Sequence, residues 1–334
     1  MSVPVEPLLL ALDVGAKRHA FAWELKNHRE VGEIANDLTT LRPFLKGLIA
    51  HAGSVRLLVE ATGIYYLDLA LLADQLGIEV SVINPKAGHN FAKALSQRNK
   101  TDRLDAEMLL EFLKRMPFQA WQAPSLARLE LRHYGRHLVQ LTEESTAIRN
   151  RLHALSSTHA SPAYLKADLK RAITSLQTRI ERIRTRALTL IRADAWIQER
   201  FEAVITVIGV ADVSAVSLLS ELLVLPPSLS ARACASHAGL DPLIFESGTS
   251  VHKPARISRH GNKYLRRALF YPAMAAGLHD PRAAEFKARL LSKGKKKMQA
   301  NVAIMRKMLT AIWAIIKNPQ PYDGKKLYSC EQIA

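Results

Sequence analysis

Cysteine is scarce in this chain: there are two in 334 residues, Cys234 and Cys330, far apart in sequence. That is too few for a zinc site and gives no disulfide framework, which fits a reducing cytosol. Long apolar runs are lacking as well. Stretches such as residues 8–12 and 303–316 are too short, or too interrupted by charge, to span a bilayer. The N-terminus offers Glu6 and no basic stretch ahead of an apolar one, so no secretory leader is expected and the expected location is cytoplasmic. Internal repeats and low-complexity tracts are missing too.

Apolar residues, by contrast, make up 48% of the chain at a mean hydropathy of −0.03, enough for real cores. The length points to two or three domains. Acidic side chains are in short supply in one part only. Residues 1–124 carry 14 basic and 14 acidic side chains, whereas residues 125–334 carry 33 and 16, which supplies the whole net charge of +17. A neutral segment joined to a strongly basic one suggests catalysis in the first and polyanion contact in the second. Counterion release from phosphates would then provide affinity that falls steeply with salt. A ribosome-associated or merely basic protein also satisfies the charge.

Periodicity divides the first part into short elements. Residues 8–13, 20–25, 30–35, 55–59 and 79–83 read as strands, the first two as a hairpin. Residues 39–50, 65–76, 87–95 and 104–115 read as helices. Three strands, helix, strand, helix, strand is an α/β order with a mixed sheet. Pro117 and Pro124 then punctuate a linker. In the middle, Leu138, Leu141, Ser145, Ile148, Leu152 and Leu155 alternate spacings of three and four, as do Leu169, Ile173, Leu176, Ile180, Ile183, Ala187 and Leu190. Two such helices joined at residues 156–162 make a long hairpin or a dimerising coiled coil, reaching roughly 45 Å at 1.5 Å per residue. After Phe201 the pattern is mostly α-helical, apart from a polar, glycine-containing segment at 239–261. The expected domains are 1–124, 125–200 and 201–334.

Four acids stand out by position. Asp13 ends the first apolar strand, and Glu60 ends another in Val59-Glu60-Ala61-Thr62-Gly63. A carboxylate at the end of a hydrophobic strand is poorly solvated without a partner, and a cation is one such partner. Asp102 and Asp105 share a face at a helix start, where either Thr101 or Asp102 serves as N-cap. Singly, each feature is commonplace: a strand-end acid is usually a turn residue, and a DxxD on a helix is usually a solvated face or a cap. Together, on this order of elements, they suit phosphoryl transfer on DNA. That reaction needs charge neutralised on the attacked phosphate and on the entering and leaving oxygens. Two Mg²⁺ (or Mn²⁺) ions about 3.5–4 Å apart do this, and hard cations want carboxylate oxygens.

A second set lies in the polar segment, where Gly239-Leu240-Asp241-Pro242 leads into Phe245-Glu246-Ser247-Gly248-Thr249-Ser250. A serine before glycine in a polar loop is ordinarily a turn residue. Its hydroxyl is a poor nucleophile until a base, a metal or local positive charge lowers the cost of the alkoxide. Lys253, Arg256, Arg259, Lys263, Arg266 and Arg267 follow closely and suit phosphate contact, either to developing charge or to the backbone. Residues 258–267 read as a turn entering a helix with a basic front face. Lys295, Lys296 and Lys297 form a dense basic run before the last helix, 298–316. Scattered histidines such as His89 and His137 read as surface or core residues rather than ligands.

Leu12-Asp13-Val14-Gly15, Glu60-Ala61-Thr62-Gly63, Val82-Ile83-Asn84-Pro85 and Asn99-Lys100-Thr101-Asp102 with Asp105 resemble the RuvC-like DEDD domain of the insertion-sequence "one-ten" transposases, the bridge-RNA-guided serine recombinases. The resemblance continues through Ala238-Gly239-Leu240, Glu246-Ser247-Gly248, Ser250 and Leu265-Arg266-Arg267-Ala268-Leu269, and covers about residues 8–320. It implies an RNase H-like N-terminal domain in which Asp13, Glu60, Asp102 and Asp105 are metal ligands. It also implies that Ser247 attacks DNA and becomes linked to phosphate at a 5′ end, with Ser250 the rival nucleophile. A guide RNA pairing with donor and target DNA is implied as well. So is a nucleoid-associated homodimer or tetramer, in which the DEDD site of one subunit meets the serine of another. One departure stands out. The family's Pro-Gly-hydrophobic-Gly turn is reduced here to Ile205-Thr206-Val207-Ile208-Gly209, which favours packing over backbone donation to DNA. Two other readings stay open on the residues alone. One is a RuvC-like junction-resolving endonuclease in which water attacks and Ser247 is dispensable; the other is a non-catalytic nucleic-acid-binding scaffold.

Overall fold

The computed structural model describes residues 6–95, 101–247, 251–258 and 260–328, with backbone alone described at 243–247 and 251–256. The chain divides into two compact units, Met1–Ala123 and Pro124–Ala334.

The N-terminal unit is built on a five-stranded mixed sheet in the order β3-β2-β1-β4-β5. Strands β1 (Leu8–Val14), β2 (Arg18–Leu25) and β3 (His28–Ala35) form an antiparallel meander. β4 (Val55–Glu60) and β5 (Glu79–Ile83) continue the sheet in parallel with β1. Lys26 and Asn27 join β2 to β3 with φ of 48° and 66°, the left-handed pair whose twist suits a tight hairpin.

Alternation along the strands sorts side chains onto two faces. Leu8, Leu10 and Leu12 pack with Phe21, Trp23, Leu57 and Val59 beneath α1 (Leu38–Ala52) and α2 (Leu67–Gln75). Full burial of each such leucine contributes about 1.5–3 kcal/mol. The opposite face carries Ala11, Ala20, Ala22 and Leu58, and meets α4 (Asp102–Arg115) through Ala106, Leu109, Leu110 and Leu113. The small alanines let α4 lie close over β1 and β2. Helix α3 (Pro85–Ala94) adds Ala87 and Phe91 to the same cluster. Every element expected in this unit is present, with ends displaced by no more than two residues.

In the C-terminal unit, α5 (Leu126–Ser156) and α6 (Ala163–Ala193) pack against each other as a hairpin of two 31-residue helices. Their apolar seam is graded. Leu138, Leu141, Leu176 and Ala187 are buried, while Ile148, Leu152, Leu155, Leu169 and Ile173 towards the connecting turn are half-buried. Leu131, Leu138, Ala187 and Ile191 root the hairpin in a core shared with α7 (Ala195–Ile205), α8 (Asp212–Leu222), α9 (Ala231–His237), α10 (Lys263–His279), α11 (Pro281–Ser292) and α12 (Lys297–Lys317). Gly209, at φ 92°, sits so close to α10 that a Cβ would lie 2.4 Å from the Pro272 carbonyl oxygen. That turn packs, as its departure from the family pattern suggested.

Two features differ from expectation. The segment read as a polar loop contains an antiparallel hairpin of β6 (Pro242–Ser247) and β7 (Val251–Ile257), bulged between Leu243 and Phe245. Its strands are short and mix Lys, His, Glu and Pro with apolar residues, so no period-2 signal survives. A five-residue helix, α13 (Gly324–Tyr328), follows α12 and buries Tyr328. Among the described residues no helix is long and apolar enough to cross a membrane.

Candidate active site

The sheet brings the first two acids together. In the parallel β1–β4 register Leu12 faces Val59, so Asp13 and Glu60 occupy the next places on neighbouring strands. Asp13 lies two residues beyond Ala11 and Glu60 two beyond Leu58, which puts both on the α4 face of the sheet. Helix α4 delivers the other pair. Thr101 is its N-cap, accepting from Leu104 N at 3.3 Å, so Asp102 and Asp105 fall in the first turn, where the helix dipole favours negative charge.

Asp13 records the convergence electrostatically. Its pKa is pushed up to about 6, first by burial and then by the charges of Asp105, Asp102 and Glu60; a hydrogen bond from the Val14 backbone opposes the rise. All three other acids therefore act on one half-buried carboxyl. Glu60 is held from two sides: Thr62 Oγ1 donates to its Oε1 at 3.1 Å, and Gly88 of α3 leaves it room. A Cβ at position 88 would lie 2.7 Å from Glu60 Oε2. Among the described residues, no three His, Cys, Asp or Glu side chains are gathered tightly enough to hold a metal ion. The four acids thus share an electrostatic neighbourhood without a closed coordination sphere. Their chemistry, hard oxygen donors repelling one another around a shielded carboxyl, fits a divalent cation.

The basic and nucleophilic candidates are placed less fully. Ser247 is the last residue of β6, its backbone opposite Val251, and its side chain, like those of Lys253 and Arg256, is not described. Ser250, Arg259, Asn99 and Lys100 lie outside the described residues. Lys263, Lys295, Lys296 and Lys297 are exposed. Two expected phosphate contacts have internal partners as well: Arg266 Nη1 donates to the Ala238 carbonyl at 2.9 Å, and Arg267 pairs with Glu143 Oε1 at 2.7 Å.

One buried network was missed from the sequence. Glu221 is 1% exposed on α8, where every residue from Ala215 to Leu222 is buried. Arg136 of α5 donates to it through Nε at 2.5 Å and Nη2 at 3.1 Å, and Arg132 Nε stands 3.6 Å away. Asn262, the N-cap of α10, donates through Nδ2 at 2.6 Å. These partners hold the Glu221 pKa below the usual carboxylate range although burial pushes it up. The available signal was an isolated acid within an apolar helix together with arginines at i and i+4 on another.

Comparison with known proteins agrees with both halves of the chain. A DEDD family model described as "Transposase" matches residues 10–159, and one described as "Transposase IS116/IS110/IS902 family" matches residues 201–288. A pilin gene-inverting protein of Moraxella bovis is 32% identical over 280 residues, covering 82% of this chain and 84% of that protein. Its counterpart in Moraxella lacunata matches to the same extent. An uncharacterized 43.6 kDa protein of insertion element IS110 from Streptomyces coelicolor is 33% identical over 91 residues, 27% of this chain and 22% of its own length.

Proposed function

The chain belongs to the IS116/IS110/IS902 transposase family, and from that premise we propose a DNA recombinase that cuts and rejoins strands through a phosphoserine at Ser247. The observation that carries this reading is that Asp13 and Glu60 end adjacent strands on the sheet face that α4 covers, with Asp102 and Asp105 in the first turn of α4. Asp13, Glu60, Asp102 and Asp105 would hold the divalent cations. Mg²⁺ or Mn²⁺ bound there supplies charge neutralisation at the attacked phosphate and at the entering and leaving oxygens. The strand order β3-β2-β1-β4-β5, with β2 alone running against the other four strands, supports an RNase H-like (RuvC-like) assignment for this unit.

In the cleavage step Ser247 Oγ forms a bond to phosphorus, the bond to the 3′ oxygen breaks, and the serine proton leaves to solvent while the 3′ oxygen gains one. The 5′ phosphate stays on the protein. Attack by the 3′-hydroxyl of another strand reverses the step, so rejoining needs no high-energy cofactor. Arg256, Arg259, Lys263 and the lysines at 295–297 grip phosphates of DNA, and a guide RNA is recognised by shape and backbone. The named activity of the Moraxella relatives, gene inversion, suits such reversible exchange between two sites. The α5–α6 arm is the element suited to joining subunits in a dimer or tetramer, and the chain divides by function at 1–124, 125–200 and 201–334.

The test incubates the protein with Mg²⁺, end-labelled DNA and candidate guide RNA, then denatures it and looks for label on the protein. A 5′-phosphoserine adduct mapped to Ser247 supports the reading. Free nicked ends with no adduct overturn it in favour of hydrolysis by water.

A further inference from the structure

We infer that Glu221 and Asn262 form a positioning device that sets the direction in which the β6–β7 hairpin, and with it Ser247, extends from its root between α9 and α10. This rests on the reading of Ser247 as the attacking residue. Asn262 stands where the returning strand becomes α10, and its groups join three elements. Its backbone N donates to the His237 carbonyl of α9 at 2.8 Å. Its Oδ1 accepts from Tyr264 N and Leu265 N at 2.9 and 3.2 Å, capping α10. Its Nδ2 donates to Glu221 Oε2 on α8. With the oxygen end of the amide committed to the cap, the nitrogen end has one direction left, and Glu221 is the acceptor that meets it.

The rest of the root is fastened too. Ser258 N donates to the Asp241 carbonyl at 3.0 Å and Ser258 Oγ to Asp241 Oδ1 at 2.7 Å, tying the two strands together. Gly261, at φ 118°, lets the chain lie flush on α9: a Cβ there would be 2.2 Å from the His237 carbonyl oxygen. Stability alone does not call for this acid. Apolar residues of similar volume replace buried ion pairs at little or no cost, and the α10 cap needs only Oδ1. What Glu221 adds is a short, directed bond from a helix locked in the core, itself held by Arg136. Leverage makes direction matter. At about 3.3 Å per residue Ser247 lies roughly 17 Å along the strand from Pro242, so a 5° swing at the root moves it by roughly 1.5 Å. A misplacement of about 1 Å already costs on the order of 100-fold in rate.

The experiment changes Asn262 while keeping its cap. Asn262→Asp retains the capping oxygen and turns a second carboxylate oxygen towards Glu221; Asn262→Ser caps and removes the donor without adding charge. Adduct formation at saturating DNA and Mg²⁺ is expected to fall about 100-fold in Asn262→Asp and about 10-fold in Asn262→Ser, with DNA affinity unchanged within twofold. Adding Glu221→Gln to Asn262→Asp returns a donor facing an acceptor, and should recover at least about 10-fold of the loss, although Glu221→Gln alone slows the reaction. The inference is overturned if folded Asn262→Ser forms adduct at the wild-type rate, or if the double variant is no faster than Asn262→Asp. Ser247→Ala run alongside separates the premise: strand exchange persisting in that variant sinks the serine reading itself, whatever Asn262 does.

Discussion

Asp13 and Glu221 are both acids set among apolar residues, one in each unit, and their surroundings are opposite. Glu221 is the more deeply buried, yet two arginines and Asn262 hold its pKa down. Asp13 keeps more contact with water, and its pKa rises to about 6 because three further acids add to the effect of burial. The first is held charged by partners within the chain; the second is surrounded by charges of its own sign. That contrast is what the proposed cation site rests on: further acids around a shielded carboxyl raise its pKa, as charged neighbours commonly do at functional sites.

The largest effects concern chemistry. Asp102→Asn and Ser247→Ala should each lower strand exchange by at least about 1,000-fold, measured as joined product per bound DNA, while gel-shift affinity persists. Exchange by Asp102→Asn at a tenth of the wild-type rate or better would remove the acids from the reaction. Next comes the paired acid. Glu221→Ala leaves two guanidiniums facing an emptied buried site and should cost about 3 kcal/mol, the low end for removing one partner, because Arg132 and Arg136 remain about a quarter exposed. Chemical denaturation reads it directly, and a loss under about 1 kcal/mol would mean that the network is slack.

Asp13→Asn should do the reverse and stabilise the metal-free protein. For an acid whose pKa is raised on folding, the native state binds the extra proton between the unfolded and folded values, so stability falls as pH rises through that window. Here the window runs from 3.8 to about 6. A full shift of that size corresponds to about 3 kcal/mol; water at the half-buried carboxyl reduces the expected gain to about 1–2 kcal/mol at pH 7. The gain should vanish near pH 4, where both forms are uncharged in the fold. Glu221 slopes the other way: its depressed pKa stabilises the fold above 4.5, and that contribution is lost as acid protonates it. Mn²⁺ should raise the melting temperature of the wild type and leave that of Asp13→Asn unmoved. Equal metal responses would detach Asp13 from the cation site.

The same contrast explains what could be read from the amino-acid sequence. The N-terminal sheet was legible because β1 and β4 at its centre are compact apolar runs and its helices are amphipathic, so Asp13 and Glu60 showed as acids ending strands and Asp102 and Asp105 as a pair on one helical face. Their arrival on the same side of the sheet follows from parity: each strand acid lies an even number of residues from an alanine or leucine that faces α4. Glu221 showed only as a lone acid in an apolar helix; its partners lie 85 residues away on α5 and 41 away at the start of α10, and no local pattern says which distant residues it meets. The β6–β7 hairpin was hidden by its mixed composition. The turn at Gly209 was readable as packing only because it departs from the family's own pattern.

The smallest effect separates assembly of the acids from their presence. Gly88 stands in α3 with open helical geometry, and alanine there should gain up to about 1 kcal/mol of helix propensity. Yet the new Cβ would press to 2.7 Å from Glu60 Oε2. The carboxylate is the far end of a flexible side chain, so it moves aside at little cost and the fold stays within about 1 kcal/mol of the wild type. Its displacement breaks the hold from Thr62 and takes one acid out of the cluster without deleting it. Gly88→Ala should therefore keep its melting temperature in chelator but need several-fold more Mn²⁺ to reach the wild-type thermal shift. If the metal response is unchanged, Glu60 takes part in the cluster without ligating the cation, and the contrast narrows to Asp13 and the two acids of α4.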